Sequence, residues 1–252
     1  MFAALTNPGT GASCSLEVPL PVTLHHLDTL LQDRNPLIQA SALFLIARLD
    51  AQQGQSQAAA LRGGSPGALL VSTAERLLAK GGTPPRLEDC PELEKRVVLA
   101  TSEAFRGLHL DTINALAELS ELRRYSAGAL ITETGDTCRE LLLLIEGEAL
   151  VHYRDGAGDS SGAGTRQERF RPGQMLDELE VLTHSATENT IAAAQEGTRL
   201  LAVPVDGFDA LLDRDQDFAK RVLELETRQL QRLMSSLKNP ATSARMDQLP
   251  IR

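Results

Sequence analysis

The sequence predicts an α+β protein: helices first, then short strands closing into a β-roll or jelly roll, then helices again. Three observations carry that reading. Apolar residues recur at helical spacing from the leucines of 24–31 to the segment ending near Leu119. From residue 121 the period falls towards two, punctuated by Gly128, Gly135, Gly147 and Gly173. After Pro204 helical spacing returns and continues to about residue 237.

Each element has its own signal. Residues 1–20, rich in Gly, Pro, Ser and Thr, read as a flexible lead-in. Leu24, Leu27, Leu30 and Leu31 mark a first helix, which Asp33-Arg34-Asn35-Pro36 breaks. Pro36 suits the first turn of a second helix, PLIQASALFLIARL, so an antiparallel pair joined by a tight turn is expected. Residues 51–67, AQQGQSQAAALRGGSPG, hold few large apolar side chains and read as a linker. A helix over 68–80 should end at Gly81-Gly82. Another, about 91–106, starts at Pro91 with Asp89 as its N-cap, and a third near 111–120 begins at Asp111.

Short strands are then expected within LRRYSAGALITETGD, ELLLLIEGEALVHYR, RQERFRPGQ, ENTIAAAQ and TRLLAVP, with a Gly/Ser loop over 155–164. Asp206 would cap a helix over 207–213, and a long helix over about 215–237 precedes a polar tail. The boundaries that follow are a helical region over 21–82, a strand-rich domain over 83–237 and a tail over 238–252.

Composition narrows the function classes. The chain has 252 residues, with 25 basic and 34 acidic side chains and a formal charge of −9. Coating nucleic acid needs a net basic face, so no nucleic-acid partner is expected. Aromatic residues make up 3% with no Trp, so the core must be aliphatic and stacking platforms for bases are scarce. Cys14, Cys90 and Cys138 are too few and too scattered for a disulfide framework or a zinc site. No apolar run approaches the roughly 18 residues of a membrane span, and the N-terminus lacks the basic start of a secretory signal. A cytoplasmic location is expected, with membrane association only through a partner or a separate transmembrane part.

Two stretches resemble known families. The string LLQDRNPLIQASALFLIARL resembles a HEAT repeat, with Gln39 where that family usually has Arg. A single repeat cannot bury both of its faces, so it should pack on further helices. Residues about 92–237 resemble the cyclic-nucleotide-binding domain. The residues that carry this are Phe105-x-x-Leu108 leading into 111–120, Ala127-Gly128, Gly135-Asp136, LLLLIEGEALVH with its Glu-Gly turn, and Pro172-Gly173.

The resemblance implies an eight-stranded roll followed by two helices, with a ligand cassette between strands 6 and 7. In the family a Gly-Glu pair opens the cassette, the Glu meets the ribose, and a later Arg pairs with the cyclic phosphate. Here the cassette begins Leu176-Asp177-Glu178-Leu179 and runs on to Thr187-Glu188. Glu178 holds the ribose position, Asp177 replaces the Gly, Thr187 replaces the Arg and Glu188 the small residue after it. No Lys or Arg occurs between Arg171 and Arg199, while Asp177, Glu178, Glu180, Glu188 and Glu196 do. A phosphodiester placed beside these carboxylates meets repulsion as well as desolvation. Cyclic AMP and cyclic GMP are therefore not expected to bind, and no cofactor is expected.

Other candidate sites are weaker. His25 and His26 point about 100° apart on a helix and have no third ligand, so a solvated face is the expectation. His184 lies within the altered cassette, as loop surface. Gly158-Asp159-Ser160-Ser161-Gly162 superficially resembles a nucleophile turn but lacks the partners of one. There is no phosphate loop and no dinucleotide fingerprint, so an enzyme is not expected.

On the long C-terminal helix Leu223, Leu230 and Leu237 repeat every seven residues, with Leu233 between the last two and Val222 in a neighbouring stripe. In the family this helix lids the ligand or pairs two subunits. A homodimer through it stands against packing on its own roll. The preferred function is a non-catalytic regulatory or interaction module with a protein partner. One alternative is a sensor of a cyclic nucleotide or another small ligand. The other is the soluble part, or the partner, of a membrane transporter, because the segment LEKRVVLATSEAFRGLHLDTINALAEL is similar to bacterial transporters fused to HEAT and cyclic-nucleotide-binding-like modules.

Overall fold

The Asp-Arg-Asn-Pro break is a capping turn in the computed structural model. Asp33 Oδ1 accepts from the Asn35 N–H at 2.7 Å, and Asn35 Oδ1 accepts from the Leu37 N–H at 2.9 Å. This turn joins α1 (Leu20–Leu30) to α2 (Pro36–Leu49). Gln39 Nε2 donates to the Leu31 carbonyl at 3.2 Å and ties the second helix back to the end of the first. Leu27, Ala42 and Ile46 are buried between the two, flanked by Leu24, Leu30 and Leu31. The structure describes residues 20–61, 67–153 and 166–238, which fall in two units, Met1–Thr101 and Ser102–Arg252. The lead-in up to residue 19, the 155–164 loop with its Gly-Asp-Ser-Ser-Gly motif, and the tail from 239 lie outside the described residues.

The expected linker is largely a helix. α3 (Ala51–Ala60) follows α2 after one residue, Asp50, whose Oδ1 accepts from the N–H groups of Gln52 and Gln53, each at 3.0 Å. Its shortage of large side chains permits close packing rather than disorder. A Cβ on Gly54 would stand 2.3 Å from Ala47 Cα, so only glycine allows this approach of α3 to α2. α4 (Ala68–Ala79) and α5 (Pro91–Thr101) complete the first unit. The first unit runs to Thr101, and α5 ends there rather than at 106. Asp89 does not cap α5: its carboxylate accepts from the Arg86 N–H at 2.8 Å and meets Lys80 Nζ at 2.6 Å.

In the second unit α6 (Leu110–Leu119), with His109 rather than Asp111 at its start, leads into eight short strands. These are β1 (Glu121–Tyr125), β2 (Leu130–Thr132), β3 (Glu140–Glu146), β4 (Ala149–Tyr153), β5 (Arg166–Phe170), β6 (Met175–Leu176), β7 (Thr190–Ala193) and β8 (Thr198–Pro204). They form two four-stranded antiparallel sheets, in the orders β1-β8-β3-β6 and β2-β7-β4-β5. Leu142, Leu144, Leu176, Leu200, Val151 and Ile191 are buried together, drawn from both sheets. Gly147, at φ 84°, turns β3 into β4 where a Cβ would stand 2.7 Å from Thr198 Oγ1. The Glu-Gly turn is therefore a steric requirement of the roll.

α7 (Glu178–Thr183) interrupts the strands between β6 and β7. α8 (Val205–Arg214) starts directly after Pro204, which leaves Asp206 in its first turn rather than at its cap. α9 (Gln216–Lys238) follows after Asp215, whose Oδ1 accepts from the Phe218 N–H at 3.0 Å and whose Oδ2 takes the Thr112 hydroxyl. Phe218 in turn packs edge-on against Phe208, with ring centres 5.3 Å apart.

Candidate functional site

A cavity of about 210 Å³ opens in the roll. Strand alternation sends Arg123 and Tyr125 of β1 to it, two residues apart, and Glu140 and Leu142 of β3 by the same rule. β2 contributes Ile131 and Thr132, and Cys138 comes from the connection into β3. The segment after β6 contributes Asp177 and Thr187.

Asp177 occupies a position shaped for glycine. β6 pairs with β3 through Leu176 and Leu142, and the chain then turns into α7 at Asp177 with φ 56° and ψ 25°. For an L-residue this left-handed conformation costs roughly 1–2 kcal/mol, and Asp is among the few side chains that tolerate it. The residue is only 8% exposed, and its Oδ2 has no hydrogen-bond partner. Burial pushes its carboxyl up to about 6, and the nearby Glu180 carboxylate adds to the effect. The Thr132 hydroxyl acts the other way, yet Thr132 Oγ1 makes no hydrogen bond of regular geometry and is itself buried. Cys138 stands on the same wall, its Sγ 3.9 Å from the Asp177 carbonyl oxygen, and burial raises its thiol above the ordinary range.

Two arginines line the cavity, Arg123 and Arg139, and the first is already paired. Arg123 reaches Glu140 with Nη1 at 2.5 Å and Nη2 at 2.7 Å, and Glu121 with Nη2 at 2.8 Å. This fork raises its guanidinium pKa further and ties it to Glu140 of β3 and Glu121 of β1. Thr187 is fixed by its backbone: its N–H donates to the Asp136 carbonyl, and its carbonyl accepts from the Gly135 N–H, each at 2.8 Å. The Gly135-Asp136 turn therefore holds the position where the family resemblance implies an Arg.

Two of the six cassette residues face this cavity, Asp177 and Thr187. Leu176 is buried in the roll's core. Glu178, which the resemblance gives to the ribose, lines a separate apolar cleft with Phe105, Phe208, Val222 and Leu225. Leu179 is 58% exposed, and Glu188 is exposed as well. His184 ends α7 in the left-handed conformation, its Nε2 3.7 Å from Asp209 Oδ2. On α9, Val222 faces the cleft while Leu223 is 66% exposed; the side chains of Leu230, Leu233 and Leu237 lie outside those described. Among the described residues no group of His, Cys, Asp and Glu is placed to hold a metal ion, and no helix is long and apolar enough to cross a membrane.

The sequence reading missed Thr132, Cys138 and the Arg123–Glu140 pair. The Arg-x-Tyr and Glu-x-Leu spacing on β1 and β3 was the available signal, because residues two apart share one face of a strand.

No curated protein matches the chain. Among solved structures it is similar to the catabolite activator protein of Thermus thermophilus, with 22% identity over 54% of this chain and 61% of that one, at a TM-score of 0.44. It is similar to the sensor domain of the transcriptional regulator DNR from Pseudomonas aeruginosa, with 18% identity over 56% of this chain and 93% of that one, at a TM-score of 0.47. A regulatory subunit of a cAMP-independent protein kinase A from Trypanosoma cruzi, bound to guanosine, gives 20% identity over 60% of this chain and 52% of that one, at a TM-score of 0.47. The chain thus spans less than two thirds of the first of these proteins and about half of the third. From the second residue of β1 to the residue after α8, positions 122–215 match the family described as Cyclic nucleotide-binding domain.

Proposed function

We propose that the chain is a non-catalytic regulatory or interaction module whose roll keeps the cyclic nucleotide-binding fold and has lost cyclic-nucleotide binding. One observation carries this: the buried, unpartnered Asp177 carboxylate in the cavity wall. A phosphodiester entering there would meet that carboxylate within the field of Glu180, with Thr187 in place of a guanidinium and Arg123 engaged by Glu140 and Glu121, which leaves Arg139 as the other cation of the lining. Leaving such charges unpaired costs several kcal/mol, which is a hundredfold or more in affinity. Glu178, turned into the apolar cleft, offers no compensating ribose contact.

Thermal unfolding with added nucleotide tests the reading. A ligand at a hundred times its dissociation constant stabilises by about 2.7 kcal/mol, several degrees for a domain of this size. Cyclic AMP or cyclic GMP at about 100 µM should move the midpoint by less than about 3 °C; a larger rise overturns the reading.

The open cavity favours a second reading, a sensor for a small ligand of different chemistry. Pairing of two copies through α9 is part of the proposal, supported by exposed Leu223 and Met234, which lie about three turns apart on one face. Light scattering on the purified chain tests it: a dimer is expected, and a monomer at all concentrations removes it. The transporter setting is likewise a proposal, tested by the reading frame upstream of Met1.

A further inference from the structure

We propose that the cavity binds a small organic cation, its ammonium group donating to Asp177 Oδ2 and Thr132 Oγ1. This rests on the reading that the roll takes no cyclic nucleotide, and it names the ligand class that the same site favours. Both oxygens are buried, both residues line the cavity, and neither oxygen makes a hydrogen bond of regular geometry, the Thr132 hydroxyl standing only near enough to Asp177 to lower its carboxyl. Buried acceptors left unmade are costly, so a ligand that satisfies two at once has a reason to bind.

The chemistry of the acceptors selects the donor. A carboxylate accepts only, and a primary ammonium supplies three N–H donors with the charge to match it. A neutral alcohol donates one proton and leaves the charge uncompensated. An anion could approach Arg139 in the lining but would meet Asp177 and the field of Glu180 beside it. A metal ion lacks ligands, because no suitable group of three exists among the described residues. One water would occupy only a fraction of about 210 Å³, at ~30 Å³ for a water's share of liquid. The remaining volume runs along Ile131, Leu142 and Tyr125, which suits a short, mainly apolar carbon frame.

The probe is n-butylammonium chloride, titrated at pH about 7.5 into the full ¹⁵N-labelled chain, with n-butanol, sodium butyrate and cyclic AMP in parallel. Saturable shifts of the Thr132, Asp177 and Thr187 amide signals are expected with n-butylammonium. Butanol should bind at least about tenfold more weakly and butyrate not at all, since one charge-assisted hydrogen bond is worth about a factor of ten or more. Asp177→Asn keeps the shape and tolerates the left-handed backbone, so its amide spectrum should stay folded while the affinity falls at least about tenfold. Thr132→Val gives an independent, smaller loss of the same sign. No saturable shift with n-butylammonium, equal binding of butanol, or unchanged affinity in folded Asp177→Asn overturns the inference. Saturable binding of cyclic AMP instead overturns the proposed function itself, so the two failures are distinguishable.

Discussion

Replacing Asp177 with Asn should stabilise the roll at neutral pH and leave it unchanged in acid. The carboxyl goes from an ordinary value of 3.8 to about 6 in the fold, because burial and the Glu180 charge both disfavour ionisation. The folded state therefore holds this proton more tightly than the unfolded chain does. Ionisation costs nothing below about pH 3.8, and its cost is complete above about pH 6. At about 1.4 kcal/mol per pH unit the upper bound is about 3 kcal/mol, and water reaching the open cavity brings it nearer 2.

Asn keeps the volume and the left-handed backbone but carries no charge. The stability difference between variant and wild type should then grow by about 2–3 kcal/mol between pH 4 and 7, with the variant the more stable. The other groups about the site, Glu180, Cys138, Arg123, Glu140, Asp136 and Arg139, are present in both proteins and largely cancel. Urea unfolding followed by tyrosine fluorescence reads the right unit, because the chain has no Trp and its two tyrosines, Tyr125 and Tyr153, lie in β1 and β4. A difference constant within about 0.5 kcal/mol across that range would refute the account of Asp177 as a buried, unpaired carboxylate.

Gly54→Ala should cost the first unit about 1–3 kcal/mol, because the new methyl collides with the Ala47 backbone; thermal unfolding by circular dichroism would register this as a lower midpoint. Asp215→Ala should cost about 1 kcal/mol through loss of the bond to the Phe218 N–H. The Thr112 hydroxyl holds the Asp215 carboxyl below the ordinary range, so that loss should be present at neutral pH and fade as pH falls below about 4; urea midpoints across pH check the direction.

Much of the fold was legible because its signals are local. The Asp-x-Asn-Pro turn, the strand punctuation by Gly135 and Gly147, and the start of a helix after Pro204 all follow from backbone chemistry within a few residues. α3 was not legible, because Gly54 and its small neighbours make a helix through close contact with Ala47, a tertiary fact with no apolar period to announce it. In the segment after β6 the residue types at Asp177 and Thr187, and the lack of Lys or Arg between them, could be read directly. The direction of Glu178 could not: it depends on burial beside Phe105 and Phe208, which are distant in sequence. The cavity positions of Thr132 and Cys138 were not legible for the same reason, since strand pairing brings them there.

The claim that the roll keeps its fold while its cavity rejects phosphodiesters is tested most directly by calorimetric titration of cyclic AMP into the full chain at neutral pH. The account predicts no saturable heat up to about millimolar nucleotide, the affinity left when several kcal/mol of phosphate pairing is missing. A one-site isotherm in the micromolar range, weakened by a change at Asp177 or Thr187, would contradict it.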